Sequence, residues 1–202
     1  MTSTLDDLSW PRRTERLLIR RAAPSDVDTI WRYRRLEPVA RYMTSLPGDL
    51  DDFRASFAEP DRLVPTLVVE RAGAIIGDLK LDLQDAWAQS EVVEQARGTQ
   101  AELGWVFDPD HHGHGYATEA VRELLRLCFE DLGIRRVEAL CFAANAPSRA
   151  LMERLGMRLE THAVAESLHR SGEWMDGLGY AMLASEWTPG AADGHTSSAP
   201  KA

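Results

Sequence analysis

The residues with the clearest chemical potential lie between Asp108 and Ala120, in the run DPDHHGHGYATEA. A β-rich segment ends there, two glycines follow, and a long amphipathic helix begins. Gly113 and Gly115 allow close backbone approach and conformations that a Cβ would forbid. The first turn of the helix then offers N–H groups with no partner inside the helix, and its dipole favours an anion. The physical expectation is a phosphate or pyrophosphate cradle at a strand-to-helix junction. A P-loop needs Gly-Lys-Ser/Thr, whereas Tyr116 and Ala117 follow Gly115 here. A dinucleotide fingerprint needs a third glycine, and Thr118 stands in its place. Its acid after the next strand is also missing, since Val137 to Phe142 runs into Ala143-Ala144-Asn145.

The elements around this junction can be read from periodicity. Ala101 to Phe107 is the strand that delivers the loop. Gly115 to Leu132 is the helix, with Ala117, Ala120, Val121, Leu124, Leu125, Cys128 and Leu132 on one face and Gly133 as its stop. Val137 to Phe142 is the following strand, and this strand–helix–strand unit should be a right-handed parallel crossover. Upstream, Arg16 to Arg21 reads as a strand. Pro24-Ser25-Asp26 opens a helix that Pro38 should end, and Leu50 to Ala58 is a shorter helix. Leu67 to Glu70 and Ala74 to Leu83 form a hairpin. Gln84 to Thr99 is a polar, weakly patterned excursion. Downstream come a helix from Pro147 to Leu155 and strands from Met157 to Val164 and Tyr180 to Leu183, the last two joined by His169 to Gly179. The mixed order predicts an α/β (α+β mixed) domain with a mixed sheet.

The whole chain bounds this reading. Its 202 residues suit one domain with short ends. We expect a flexible N-terminal arm over 1–11, a domain over 12–187 and a disordered tail over 188–202, where Pro, Gly, Ser and Ala dominate. With 23 Lys and Arg against 32 Asp and Glu, the formal charge is −9, a poor match for nucleic acid or an anionic membrane. There is no membrane-length apolar run, and Cys128 and Cys141 do not form a disulfide framework or a zinc spacing. A cytoplasmic setting is expected. His111, His112 and His114 sit on the glycine loop without cysteine partners or helical metal spacing, so no metal is expected.

Against this background, His112-Gly113-His114-Gly115-Tyr116-Ala117 resembles the acyl-CoA pyrophosphate loop of the GNAT N-acetyltransferase superfamily, Arg/Gln-x-x-Gly-x-Gly/Ala, with His112 in place of Arg or Gln. The longer GHGYATEAV resembles the branch that includes ribosomal-protein N-terminal acetyltransferases. Asn145-Ala146-Pro147-Ser148, with Gly156-Met157 downstream, resembles a second family motif. The opening Thr14 to Arg20 and the closing Asp176 to Trp187 extend the resemblance over about residues 12–187. It implies a three-layer fold with a splayed, mixed, mostly antiparallel sheet flanked by helices. It also implies acetyl-CoA as co-substrate and a primary amine, a protein N-terminus or a small molecule, as acceptor in a ternary complex.

Site roles follow from the resemblance. Glu102, in the strand before the loop, is the expected general base. Ser148 is the expected partner of the leaving thiolate, since the position where many members place a tyrosine is Met152. As structural residues the two would be a strand-face carboxylate and a helix cap. Trp105, Val106 and Phe107 should pair with the pantetheine through their backbone, like an added strand. His112, Gly113, His114, Gly115, Tyr116, Ala117 and Thr118 should hold the pyrophosphate, and Asn145 should contact the pantetheine or order its loop. Trp31, Tyr33, Arg41, Tyr42 and Met43, with Asp78 and Lys80 on the neighbouring strand and His169 to Trp174 on the last connection, fall where this branch builds its acceptor side. Homodimers are common in the branch. A polyamine or antibiotic acetyltransferase, or a non-catalytic acyl-CoA sensor, fits the same motifs.

Overall fold

The computed structural model describes residues 4–189. Its strands are β1 (Arg12–Arg13), β2 (Leu18–Arg21), β3 (Thr66–Arg71), β4 (Ala74–Gln84), β5 (Gln100–Phe107), β6 (Arg136–Phe142), β7 (Arg158–Leu168) and β8 (Trp174–Leu183). The helices are α1 (Val27–Arg34), α2 (Glu37–Ala40), α3 (Leu50–Phe57), α4 (Pro60–Leu63), α5 (Val93–Ala96), α6 (Tyr116–Arg126) and α7 (Ala146–Arg154). The strands form one sheet in the order β1-β2-β3-β4-β5-β6-β8-β7. Every pairing is antiparallel except β5 with β6, as the crossover rule requires.

The β5–β6 pair decides the shape of the sheet. It is registered only at Gln100–Arg136, Ala101–Val137 and Glu102–Glu138. Beyond that rung β5 stays paired with β4 as far as Phe107, and β6 stays paired with β8 as far as Phe142. The sheet therefore splays, leaving the facing edges of β5 and β6 without a strand between them.

Alternation along the strands separates two apolar layers. Ala101, Leu103 and Phe107 of β5 face the larger core, where α6 contributes Ala120, Val121, Leu124 and Leu125 and α7 contributes Leu151 and Met152. Val106 packs toward the other face, where Val27, Ile30, Tyr33, Phe53 and Phe57 of α1 and α3 cover Val68.

Several elements differ from the sequence expectation. Residues 4–11 are not a loose arm: Leu5 and Leu8 are buried in the larger core, and Trp10 donates its indole N–H to the Leu5 carbonyl at 2.9 Å. Two leucines in a polar run suffice when a core lies within reach. The first helix ends at Arg34, and Pro38 sits in the opening turn of α2, where its missing N–H costs nothing. The long helix closes in a π-turn over Leu127–Asp131, and the polar excursion contains the single turn α5. β8 begins at Trp174, so the last connection shrinks to 169–173 and Trp174 belongs to a strand. Of the expected tail, residues 190–202 lie outside the described residues.

Candidate functional site

The loop after β5 is shaped by two left-handed glycines, Gly113 at φ +77° and Gly115 at φ +80°. Gly115 is the N-cap of α6, so the helix starts on a residue that L side chains adopt only with strain. A Cβ at Gly113 would meet nothing within 4 Å, and one at Gly115 would lie 3.5 Å from Arg16 Nη2. The loop is thus an open cradle, with the first-turn amides of α6 facing a cleft of about 1410 Å³.

His112, which replaces the usual Arg or Gln, has a local task. Its Nε2 donates to the Phe107 carbonyl at 3.1 Å and ties the loop to the end of β5. The His114 ring turns outward, stacks on Tyr116 with centroids 5.4 Å apart, and does not line the cleft. Among the described residues, no group of three or more His, Cys, Asp or Glu is placed to hold a metal ion.

The cradle is stapled from the opposite end of the chain. Glu119, in the first turn of α6, accepts from Thr14 Oγ1, from the Arg16 backbone N–H at 2.8 Å and from Arg16 Nε at 2.7 Å. Arg16 Nη1 also donates to the His114 carbonyl at 3.0 Å. Burial by itself raises the Glu119 pKa, but the bonds from Thr14 and Arg16 outweigh it and hold the carboxyl below its usual range. Arg154 of α7 donates to Thr118 Oγ1 at 3.0 Å and joins the two helical walls. Arg16, Arg122, Arg126 and Arg154 line the cleft together with Glu15, Glu119, Glu123, Glu130 and Glu186, so the lining carries both signs of charge. Sequence reasoning did not single these residues out as site residues. The signal for Glu119 lies in the GYATEA run, and that for Arg16 in the opening Thr14 to Arg20 motif.

The cleft also gathers Trp105, Val106 and Phe107 at the splayed edge of β5, Tyr116, Ala117 and Thr118 at the start of α6, and Asn145 and Ser148 at the start of α7. Asn145 is the cap of α7, its Oδ1 accepting from the Ser148 N–H at 3.3 Å. Ser148 is therefore not the cap. Its hydroxyl has no hydrogen-bond partner among the described residues and stands at the cleft wall. Met152 is fully buried in the core.

Other expected residues lie elsewhere. Tyr42 lines the cleft, but Trp31, Tyr33, Arg41, Asp78, Lys80 and Trp174 do not. Tyr33 and Asp78 are each 1% exposed: the Tyr33 hydroxyl donates to Asp78 Oδ1 at 2.6 Å, and Arg34 binds the same carboxylate. Burial first, and the Asp78 charge second, push the Tyr33 hydroxyl well above its usual pKa, so it stays protonated. The two act as a buried network under α1 because a lone carboxylate there requires partners. Trp31 stacks with Arg35 and donates to the Gly48 carbonyl, and Arg41 pairs with Glu37. Trp174 is exposed on β8. Glu102 is half-buried on the sheet face outside the cleft lining, held by Lys80 Nζ at 3.1 Å and Gln84 Nε2 at 3.3 Å.

A family model described as an acetyltransferase (GNAT) domain matches residues 16–158. The chain belongs to the GNAT acetyltransferase family. A solved GNAT-family acetyltransferase from Bacillus anthracis is 27% identical, superimposes with a TM-score of 0.72 and covers 86% of this chain and 98% of its own. Spermidine N-acetyltransferase from Vibrio cholerae, solved with CoA and spermine, has the same fold at a TM-score of 0.70 and 20% identity, over 86% of this chain and 98% of its own. Among curated relatives, the N-acetyltransferase YnaD of Bacillus subtilis (strain 168) is 37% identical over 86 residues, 43% of this chain and 50% of that protein. The putative ribosomal N-acetyltransferase YdaF of the same organism is 34% identical over 88 residues, 44% of this chain and 48% of that protein. The chain thus spans about half the length of the first curated relative it matches. In this GNAT domain, the cradle, the open β5 edge and the α7 start lie along one cleft. No helix among the described residues is long and apolar enough to cross a membrane.

Proposed function

We propose that the protein is an acetyl-CoA-dependent N-acetyltransferase acting on a primary amine by direct attack. The observation that carries this reading is the splay: β5 and β6 stop pairing after Glu102 and Glu138, and the cleft runs from that gap to the Gly113–Ala117 cradle. The pantetheine adds to the β5 edge at Trp105 to Phe107 as a strand would. The amides of the α6 first turn take the pyrophosphate, so an acidic protein holds an anion without a surplus of cations.

The chemistry follows from what surrounds the gap. The neutral amine nitrogen bonds to the acetyl carbon, the C–S bond breaks, and the proton leaves the nitrogen. Ser148, with its hydroxyl uncommitted at the cleft wall, donates toward the departing sulfur. Glu102 is the base. It lies four residues before Val106, about 13 Å along an extended strand, so the proton reaches it through water and not by direct contact. Lys80 Nζ lies 3.1 Å from Glu102 and holds the carboxylate in place on the strand.

The test is incubation of the full chain with acetyl-CoA and a panel of primary amines and N-terminal peptides, read by mass spectrometry and free-thiol release. Acetylated amine with an equal amount of free thiol is expected. Tight acetyl-CoA binding with no acetyl transfer to any amine would replace the reading by that of an acyl-CoA sensor.

A further inference from the structure

We infer that the acceptor is a primary amine carried on an apolar or aromatic body, and that Tyr42 and Met43 select it. This rests on the acetyltransferase reading above.

The inference starts from a segment whose apolar residues are not used for folding. Val39, Tyr42, Met43 and Leu46 recur at the spacing of one helical face. Such a face normally packs into a core. Here Ala40 is the one buried residue between Tyr33 and Phe53. Val39, Tyr42 and Met43 line the cleft with Pro38 instead, and Leu46 is exposed. Opposite them, the Phe142 ring at the end of β6 lies 6.0 Å from the Tyr42 ring, and Leu140 on the same strand face is 64% exposed.

The wall is held through its backbone and through the Tyr42 ring, which packs on Phe142 and on the His169 ring at 6.2 Å, while one side of Tyr42 and Met43 still lines the cleft. The tip of the β7–β8 hairpin reaches across. His169 Nε2 donates to the Arg41 carbonyl at 2.9 Å, Arg170 donates to the Met43 carbonyl, and the His169 ring meets Phe142 edge-on at 5.7 Å. The Ser171 N–H donates to His169 Nδ1.

The charges argue against a polycation. The carboxylates lining the cleft are Glu15, Glu119, Glu123, Glu130 and Glu186. They lie before β2, along the α6 helix and its π-turn, and after β8; none belongs to the wall at 38–43 or to β5. Asp78 is matched by Tyr33 and Arg34 and Glu37 by Arg41, while Glu102 and Asp82 share Lys80 and Gln84 on β4 and β5, away from the wall at 38–43. Each additional ammonium of a polyamine would be desolvated against Val39, Tyr42 and Met43, which carry no charge, whereas an apolar flank gains from the same contact. The net charge of −9 attracts cations to the protein at large but does not discriminate at this wall.

Phenethylamine and spermidine, compared as acceptors at saturating acetyl-CoA by free-thiol release, test the inference. The kcat/KM for phenethylamine should exceed that for spermidine by about tenfold or more. Met43→Glu should shift this ratio toward spermidine by about tenfold. Tyr42→Ala should lower kcat/KM for phenethylamine by about tenfold, mainly through KM, and Tyr42→Phe should restore it. Thiol release with spermidine preferred, or a ratio unmoved by Met43→Glu, overturns this inference alone. Calorimetric binding of acetyl-CoA without thiol release to any amine overturns the acetyltransferase reading and this inference with it.

Discussion

Glu102 and Glu138 stand side by side on the last rung at which β5 and β6 still pair. The two carboxylates sit on one face at the base of the opening, Glu102 3.1 Å from Lys80, which also pairs with Asp82, and Glu138 3.4 Å from Arg136. The pair is not symmetric. Glu102 belongs to the strand that continues toward Trp105, whereas Glu138 also shares its arginine with Glu160. Glu102→Gln should lower kcat by about 10²-fold or more, and Glu138→Gln should change kcat little. Steady-state kinetics across pH on the two variants checks this, and equal effects would take the base role away from Glu102.

Ser148 and Asn145 separate catalysis from folding. Since Asn145 supplies the α7 cap, Asn145→Ala should cost about 1 kcal/mol of stability. Ser148→Ala should leave the melting temperature in place while lowering kcat by about tenfold or more. Thermal denaturation beside turnover measurements on both variants distinguishes the roles.

Gly115→Ala forces a Cβ onto a backbone at φ +80°. The strain is about 1–2 kcal/mol, and it is relieved by moving the first turn of α6 that forms the cradle. The expected result is a raised KM for acetyl-CoA with a smaller change in acceptor KM, measurable by initial-rate kinetics in each substrate.

The Glu119 staple should make stability depend on acid. Its carboxyl titrates below the usual value in the folded protein, so its contribution is complete above the unfolded pKa of about 4.3. It is lost as pH falls through the folded value. Glu119→Gln should lower the melting temperature at neutral pH by a few degrees, on the order of 3–6 °C. The gap from the parent should narrow steadily in acid. Melting curves from pH 7 downward test the sign, and a gap that widened in acid would refute it.

Asp78→Ala should be the most damaging of these changes, because it leaves the Arg34 charge and the Tyr33 hydroxyl without their buried partner. A loss of about 3–5 kcal/mol is expected, read by denaturant unfolding. The loss should accompany unfolding and not precede it as an acceptor-specific kinetic change.

Local patterns carried much of this molecule. The Ala101 to Phe107 strand, the Gly113 to Ala117 loop and the long helix are each decided by neighbours a few residues apart, so they could be read in order along the chain. The roles of Tyr33 and Asp78 could not, because they are set by a bond across 45 positions that takes both out of the cleft. The resemblance puts the 169–174 connection on the acceptor side, but the bond that places its tip, from His169 to the Arg41 carbonyl 128 positions away, leaves no pattern in the sequence. Leu5 and Leu8 looked like isolated leucines in a polar arm until a core formed beside them. The π-turn at Leu127–Asp131 keeps the apolar periodicity of the helix almost intact and so leaves no trace in it.

The stretch between Tyr33 and Phe53, which contributes a single alanine to the interior, has an evolutionary consequence. Substitutions along it can accumulate at little cost to folding, while the Gly115 junction and its Glu119 staple tolerate almost none. Descendants of this chain would diverge fastest in the amines they modify and slowest in the acyl donor they use, because drift is cheap on one wall of the cleft and purged on the other.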